Sequence, residues 1–205
     1  MPHVASLLLV HGSGTDPEVF DHWPRHFDGM DVDRVDLQAG LVVARASMRN
    51  YAAAVAGRAN LLPAPRAICG WSMGGLASMM AAELAGAERL ILLEPSAPAE
   101  TQGVRDEIEL EEGTFDPADV YGPLPEDVRT RPDSKLARTE RKRGVSVPAL
   151  PCPTLVVHGD EFPGERGRAI AVHYGTEDCS FPGLDHVGLV LHERVPPAVA
   201  EWLAT

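Results

Sequence analysis

A serine stands between two glycines in the sequence Gly-Trp-Ser-Met-Gly at residues 70–74, and this spacing suits a nucleophile. The apolar run 67–69 predicts a strand before it, and the small residues 76–85 predict a helix after it. A serine on such a sharp turn needs neighbours that are nearly free of side chain, and the two glycines meet that need. We therefore predict that Ser72 is raised above a sheet edge as a nucleophile. The alternative is a buried serine that only shapes the turn.

A serine hydroxyl is hardly ionised at neutral pH, so Ser72 needs a base. His186 is the best candidate, because it follows the last predicted strand in a glycine-containing loop that can return over the sheet edge. The alternative is a histidine in a solvent-exposed loop. The other histidines are predicted to lie on helices, at a terminus or at strand ends: His3, His11, His22, His26, His158, His173 and His192.

Acyl transfer also needs an oxyanion hole, usually made of two backbone N–H groups. We expect one from Met73, the residue after the nucleophile, and the other from Ser13, in the glycine-rich turn that follows the first strand. Gly12 lets the backbone of that turn approach a ligand. Gly12 and Trp71 are expected to line the substrate pocket.

The elements that position these residues alternate between strands and helices, which is typical of a parallel sheet with right-handed crossovers. Strands are predicted at 6–10, 31–38, 66–69, 89–93, 154–157 and 176–181, and helices at 47–62, 76–84, 166–174 and 196–203. Ligands bind beyond the carboxyl ends of such strands. The residues expected at that edge are those of the turn 11–13, Ser72, Glu94, Asp160 and His186.

Residues 96–150 differ in character from the rest of the chain. Prolines recur, and two charged blocks stand out, an acidic one at 106–112 and a basic one at 138–143. We predict a helical, partly irregular, lid-like insertion over one end of the sheet, within a single domain 1–205. Charge runs are usually solvated faces, so neither block is expected to be a binding patch.

The composition limits which partners and which cellular environment we expect for this chain. The chain has 205 residues, 44% of them apolar, and a net charge of −12. Such an acidic balance argues against nucleic acid or an anionic membrane as the main partner. No apolar run approaches the about 20 residues of a membrane span, and residues 1–6 are too short for a secretory segment. We predict a cytoplasmic monomer or homodimer that acts on a small molecule.

No cofactor or metal is expected. The three cysteines, Cys69, Cys152 and Cys179, have neither disulfide nor zinc spacing. His22 and His26 are four residues apart, but Pro24 lies between them and no third ligand is near, so a helix face is the preferred interpretation.

Four segments resemble the α/β-hydrolase superfamily and occur in the same order as in its members: 8–12, 70–75, 153–159 and 185–186. The resemblance spans nearly the whole chain. It implies an eight-stranded, mostly parallel sheet. Because the chain begins directly at the strand before the oxyanion turn, we expect a trimmed sheet of about six strands. The expected fold is a three-layer α/β sandwich with helices on both faces.

The sequence leaves open which residue is the acid of the catalytic triad. Most members of the superfamily place it three residues after the glycine that ends the penultimate strand, where this chain has Phe162, and phenylalanine cannot orient an imidazole. Some relatives, including haloalkane dehalogenases, carry the acid after the fourth strand, where this chain has Glu94. A carboxylate just past a buried strand needs a partner. We therefore prefer Glu94, with Asp160 and then Glu161 as alternatives.

These residues predict a serine hydrolase that cleaves an ester, thioester or lactone of a small, largely apolar substrate through an acyl-enzyme. Dehalogenation is disfavoured, because it needs an aspartate in place of Ser72. One alternative is a non-catalytic or accessory binding protein on a hydrolase scaffold, for which Phe162 is the best support. Another is a carbon–carbon bond hydrolase that uses the same residues.

Overall fold

The structure, a computed structural model, describes residues 4–205; His3, assigned to a terminus above, lies outside this range. The strands are β1 Ser6–Val10, β2 Asp31–Val35, β3 Arg66–Trp71, β4 Ala87–Leu93, β5 Thr114–Phe115, β6 Asp133–Ser134, β7 Thr154–His158 and β8 Glu177–Ser180. The helices are α1 Met48–Ala59, α2 Met73–Ala81, α3 Ala99–Gln102, α4 Pro117–Tyr121, α5 Lys135–Arg143, α6 Arg168–Tyr174, α7 Gly188–Leu191 and α8 Val195–Leu203.

Six strands form one parallel sheet in the order β2-β1-β3-β4-β7-β8, which confirms the predicted sheet of about six strands. β5 and β6 pair separately as a short antiparallel ladder. In the central strands, Val10 pairs with Gly70, Gly70 with Leu92, and Leu92 with Val156. This register brings the carboxyl ends of β1, β3, β4 and β7 to the same edge.

The sheet is covered on both faces, and the side chains of each central strand alternate between two apolar clusters. From β1, Leu8 and Val10 pack with α1 and α2, whereas Leu7 and Leu9 pack on the other face with α8. Burial on both faces explains why this strand is a continuous apolar run in the sequence.

Helix α1 begins where the sequence predicts. The Ser47 hydroxyl accepts a hydrogen bond from Asn50 N at 3.2 Å, and the Asn50 side chain accepts one from Ser47 N at 3.0 Å. This reciprocal pair is a capping box, which satisfies N–H groups that have no partner inside the helix.

Several boundaries differ from prediction for local reasons. β2 ends at Val35 because the Asp36 carboxylate accepts a hydrogen bond from Gln38 N at 3.0 Å and turns the chain. The expected helical stretch near His22 and His26 is instead two short 3₁₀ helices, each started by a proline. α7 was not predicted, because four residues are too few for a periodic pattern.

The connection from β4 to β7 contains α3, α4, α5 and the β5–β6 ladder. Its helix α5 is anchored to α1, because Met48 N donates to the Glu140 carboxylate at 2.6 Å. The connection thereby supplies residues to the carboxyl edge of the sheet. Among residues 4–205, no helix is both long and apolar enough to cross a membrane.

Candidate active site

Ser72 connects β3 directly to α2 with φ 56° and ψ −121°. A residue with a side chain seldom adopts this conformation, which persists only where surrounding contacts enforce it. Two backbone hydrogen bonds do so here: Ser72 N donates to Leu93 O at 3.1 Å, and Ser72 O accepts from Ser96 N at 2.8 Å. The turn is the strained strand-to-helix elbow predicted from the sequence.

Both glycines of the motif are required by close packing. A Cβ atom on Gly74 would lie 2.2 Å from the His11 carbonyl oxygen, and one on Gly70 would lie 2.5 Å from Ser78 Oγ. Only glycine therefore lets α2 pack this closely against β1 and β3.

His186 lies in the loop between β8 and α7, and Glu94 follows β4 directly. His186 Nδ1 is 2.7 Å from Glu94 Oε2. Because a carboxylate only accepts, Nδ1 carries the proton and Nε2 is left as the basic nitrogen. Glu94 is fully buried, and its other oxygen accepts a hydrogen bond from Gly159 N at 2.8 Å. The buried charge is thus held by two donors.

Two aromatic side chains hold the His186 imidazole in place. Trp71 lies 5.2 Å from it between ring centroids, and the Trp71 indole donates to the His186 carbonyl at 3.0 Å. Phe162 meets the imidazole edge-on at 5.5 Å. The residue at the superfamily's usual acid position therefore packs against His186. Ser72 Oγ forms no hydrogen bond to His186 or to any other residue that the structure describes.

The alternative acids make different contacts. Asp160 accepts a hydrogen bond from Gly183 N at 2.7 Å, and Glu161 accepts one from the backbone N of His186 at 2.9 Å. Both carboxylates brace the loop that carries His186, and neither is hydrogen-bonded to its imidazole.

Ser13 follows β1, and its turn rests on Asp133, a carboxylate that sequence reasoning missed. The Ser13 hydroxyl donates to Asp133 Oδ2, and Gly14 N donates to the same oxygen at 3.0 Å. Met73 is the first residue of α2, so its N–H has no acceptor inside the helix. Both expected oxyanion donors therefore lie on turns next to Ser72.

Asp133 is fully buried and accepts on both oxygens. Its Oδ1 atom accepts from the Tyr51 hydroxyl at 2.7 Å, from Ser134 N at 2.8 Å and from the Gln38 amide at 3.2 Å. The pKa of Tyr51 is raised above its ordinary value, mainly by burial and next by the negative charge of Asp133. Tyr51 thus remains a donor. No motif or spacing in the sequence marks Asp133, because most of its partners come from three distant segments, at 13–14, 38 and 51.

This chain resembles known proteins in its structure. No family model matches the chain, and no curated protein sequence matches it. Solved structures do. A match to a lipase-esterase related protein from Clostridium acetobutylicum covers 98% of this chain and 96% of that protein, with 15% identity and a TM-score of 0.63. A match to polyneuridine aldehyde esterase covers 98% of this chain and 100% of that protein, with 15% identity and a TM-score of 0.71. A match to a pyrethroid hydrolase from Sphingobium faniae covers 98% of this chain and 97% of that protein, with 16% identity and a TM-score of 0.68.

The chain has the α/β-hydrolase fold. Its main sheet has six strands, fewer than the eight that the superfamily resemblance implies. At identities this low the likeness shows the fold and does not assign roles to the residues of the site.

The α/β-hydrolase sheet carries a cavity of about 690 Å³ at its carboxyl edge, lined by Ser13, Trp71, Ser72 and His186. This volume is typical of a small-molecule site. Gly12, expected as a lining residue, does not line it. A Cβ atom there would lie 2.7 Å from the Trp71 ring, so Gly12 lies behind the tryptophan and allows it to pack.

The expectation that the basic block 138–143 is only a solvated face is wrong. Arg138, Arg141 and Lys142 line the cavity, because α5 crosses the carboxyl edge of the sheet. The Arg141 guanidinium lies 3.2 Å from Ser96 Oγ and 3.3 Å from Ser13 Oγ. This block therefore belongs to the site.

Other candidates have structural contacts. His158 is 3.2 Å from the Asp178 carboxylate, so it braces the end of β7 as predicted. Cys69 points into the core beside the elbow, and burial raises the pKa of its thiol above the ordinary value. Within residues 4–205, no cluster of three or more histidine, cysteine or acidic side chains is arranged to hold a metal ion.

Proposed function

We propose that this protein is a serine hydrolase that cleaves an ester, thioester or lactone through an acyl-enzyme. The observation that carries the proposal is the His186 Nδ1 to Glu94 Oε2 contact of 2.7 Å, in a cavity that Ser72 also lines. A nucleophile on a strained elbow, a base oriented by a buried carboxylate, and adjacent oxyanion donors form a complete set for acyl transfer. Solved structures with this fold that bear the names esterase and hydrolase support the same reaction class.

In the first half-reaction, Ser72 Oγ attacks the carbonyl carbon while His186 Nε2 takes the hydroxyl proton. The carbonyl oxygen becomes an oxyanion facing the N–H groups of Met73 and Ser13, which we propose as its donors. The bond to the alcohol or thiol then breaks, and the leaving group takes the proton from His186. Glu94 stabilises the imidazolium that exists between these steps.

In the second half-reaction, water attacks the acyl-enzyme, and His186 takes its proton. The carboxylic acid leaves as Ser72 recovers the proton, so the net change is the addition of one water across the ester bond. Because Ser72 and His186 are not hydrogen-bonded here, their contact has to tighten when substrate binds, as catalytic hydrogen bonds often do.

Active-site labelling tests the proposal. A fluorophosphonate probe should label the wild-type protein stoichiometrically at Ser72, and Ser72→Ala should abolish the labelling. Ser96→Ala is the matched control, because Ser96 lines the same cavity; it should still be labelled. If the wild-type protein takes up no label, the proposal fails and a binding role on a hydrolase scaffold is favoured instead.

A further inference from the structure

The catalytic cavity has an excess of positive charge in a protein that is otherwise acidic. Five cationic and two acidic side chains line it, whereas the whole chain carries a net charge of −12. The cationic side chains are Arg105, Arg138, Arg141, Lys142 and Arg166, and the acidic ones are Glu161 and Glu165.

None of these five cations forms a direct ion pair with a carboxylate among the described residues. Arginines elsewhere do, such as Arg131 with Asp36 and Arg143 with Asp106. Neither cavity carboxylate is ion-paired with them: Glu161 accepts the backbone N–H of His186, and the ion pairs of the described residues do not include Glu165. Glu94 and Glu165 act on Arg166 without a direct contact, so the N–H donors of this wall can form direct ion pairs with a ligand.

Arg141 contacts the turn that carries a proposed oxyanion donor. Its guanidinium lies against the hydroxyls of Ser13, Ser96 and Tyr121. The Ser13 hydroxyl in turn donates to Asp133, so this carboxylate reaches Arg141 only through Ser13. A partly buried guanidinium whose direct side-chain contacts are hydroxyls gains from an anionic ligand, and its planar fork fits a carboxylate or a phosphate with two hydrogen bonds.

Arg166 reinforces the same wall. Its guanidinium stacks 4.3 Å from the ring centroid of Phe162, the residue that packs against the His186 imidazole. Burial and then the positive charge of Arg141 lower the pKa of Arg166, whereas the negative charges of Glu94 and Glu165 act in the opposite direction. Arg141 and Arg166 line the same cavity, so one anionic ligand there would be attracted by both.

We propose that the substrate of this hydrolase carries an anionic oxygen group, a carboxylate or a phosphate, a few bonds from the scissile carbonyl. The inference rests on the proposed function and narrows its substrate class. Because Arg141 contacts Ser13, whose N–H is a proposed oxyanion donor, the anion has to lie near the reacting centre. Trp71, Leu124 and Val187 leave an apolar wall for the rest of the substrate. The expected substrate is therefore amphiphilic rather than largely apolar.

Two esters with the same leaving group test this inference: the mono-p-nitrophenyl ester of glutaric acid, which is anionic, and p-nitrophenyl pentanoate, its neutral counterpart. The wild-type protein should prefer the anionic ester in kcat/KM. Loss of one charge-assisted hydrogen bond should lower that preference about 10- to 100-fold in Arg141→Gln. Because the comparison is a ratio, a general effect of the variant on Ser13 cancels.

Two further variants complete the series. Arg166→Gln should lower the preference in the same direction, and it carries the test if Arg141→Gln does not fold. Arg168→Gln is the matched control, because Arg168 is exposed two residues further along and does not line the cavity. It should leave the preference unchanged. Equal rates on the two esters, or a preference that survives both Arg141→Gln and Arg166→Gln, would overturn the inference while the proposed hydrolase stands.

Calorimetric titration with glutarate and with inorganic phosphate separates the two anions and does not depend on turnover. Binding of glutarate alone indicates a carboxylate-bearing substrate, and binding of phosphate alone indicates a phosphate-bearing one. In either case, Arg141→Gln should weaken the binding. If neither ester is hydrolysed, the proposed function fails, and this titration still decides whether the cationic wall is an anion site. Binding of neither anion would contradict the inference.

Discussion

Glu94 Oε2 lies 2.7 Å from His186 Nδ1, although the two residues are 92 positions apart in the chain. The loop that carries His186 reaches Glu94 by passing directly over Gly159. A Cβ atom on Gly159 would lie 2.2 Å from the Leu184 carbonyl oxygen. Gly159 N also donates to the second oxygen of Glu94. One glycine thus permits the approach of the His186 loop and helps to hold the Glu94 carboxylate.

The first prediction concerns this carboxylate. Glu94→Gln keeps the shape of the side chain but removes the charge that stabilises the imidazolium. If the protein is a serine hydrolase, kcat on a p-nitrophenyl ester should fall by about 10³- to 10⁴-fold with a smaller change in KM. Asp160→Asn should leave kcat almost unchanged, because the Asp160 carboxylate accepts from Gly183 N in the supporting loop and does not contact the His186 imidazole. The opposite outcome in these two variants would move the acid to Asp160.

The second prediction concerns the support under the Ser13 turn. Asp133→Asn replaces one buried carboxylate oxygen by an amide that cannot accept, so donors such as Gly14 N and the Tyr51 hydroxyl compete for a single oxygen. We expect a loss of about 2–4 kcal/mol in the free energy of unfolding. Hydrolysis should also slow, because the turn that carries the Ser13 N–H is released. Urea unfolding and steady-state kinetics measure the two effects.

Tyr51→Phe is the matched variant for that network. It removes one donor from Asp133 Oδ1 and leaves the Oδ2 contacts of Ser13 and Gly14 in place. It should cost about 1 kcal/mol of unfolding free energy, with kcat close to wild type. Equal losses of kcat in Tyr51→Phe and Asp133→Asn would mean that the network supports the fold generally and not the Ser13 turn.

The third prediction is a pH dependence of stability. The neighbouring His11 imidazole and the hydrogen-bonded Arg131 guanidinium hold the pKa of Asp36 well below its ordinary range. Arg131 is the stronger cause, because its Nη1 donates to Asp36 at 3.1 Å, whereas His11 Nε2 already accepts from Leu37 N. Since the folded pKa is depressed, this stabilisation is complete above the unfolded pKa of about 3.9 and declines as the pH falls below it.

Thermal unfolding between pH 3 and pH 6 measures this contribution. Asp36→Asn should lower the melting temperature near pH 6 and make it fall less steeply than that of the wild-type protein as the pH decreases. Asp28→Asn, at an exposed position, is the control and should follow the wild-type curve. An unchanged slope in Asp36→Asn would contradict the assignment.

The fourth prediction compares two glycines in helices. Gly57 lies on the exposed side of α1, and a Cβ atom there would meet nothing within 4 Å. Gly57→Ala should therefore raise the free energy of unfolding by up to about 1 kcal/mol. Gly74→Ala should prevent folding or lower stability severely, because its Cβ would overlap the His11 carbonyl oxygen. Chemical denaturation of both variants, or the loss of soluble protein for Gly74→Ala, provides the measurement.

Local sequence was informative wherever sterics and burial act over a few residues. The elbow at Ser72 follows from its flanking glycines, and the buried strands follow from short apolar runs, because a strand covered on both faces must be apolar along its length. The parallel order then placed Ser72, Glu94 and His186 at one edge. These parts of the fold could be predicted with no knowledge of distant contacts.

Local patterns also predict some features wrongly. The basic block 138–143 has the pattern of a solvated face, as most charge runs do. Arg141 instead faces the cavity, because α5 is anchored across the sheet edge by contacts such as that between Glu140 and Met48 N. The position of Gly12 in a glycine-rich turn predicts that it lines the pocket. In the structure the large Trp71 ring lines the cavity instead, and Gly12 lies behind that ring.

The order of strands and helices, the raised serine and a short list of candidate bases and acids are encoded in residue types and their spacing, because backbone sterics and periodic burial are local. Three features are not encoded in that way: the contact of His186 with Glu94 and not with Asp160, the support of Ser13 by Asp133, and the cationic wall around Arg141. Each depends on where a loop or helix crosses the sheet, and that path is set by packing between segments tens of residues apart.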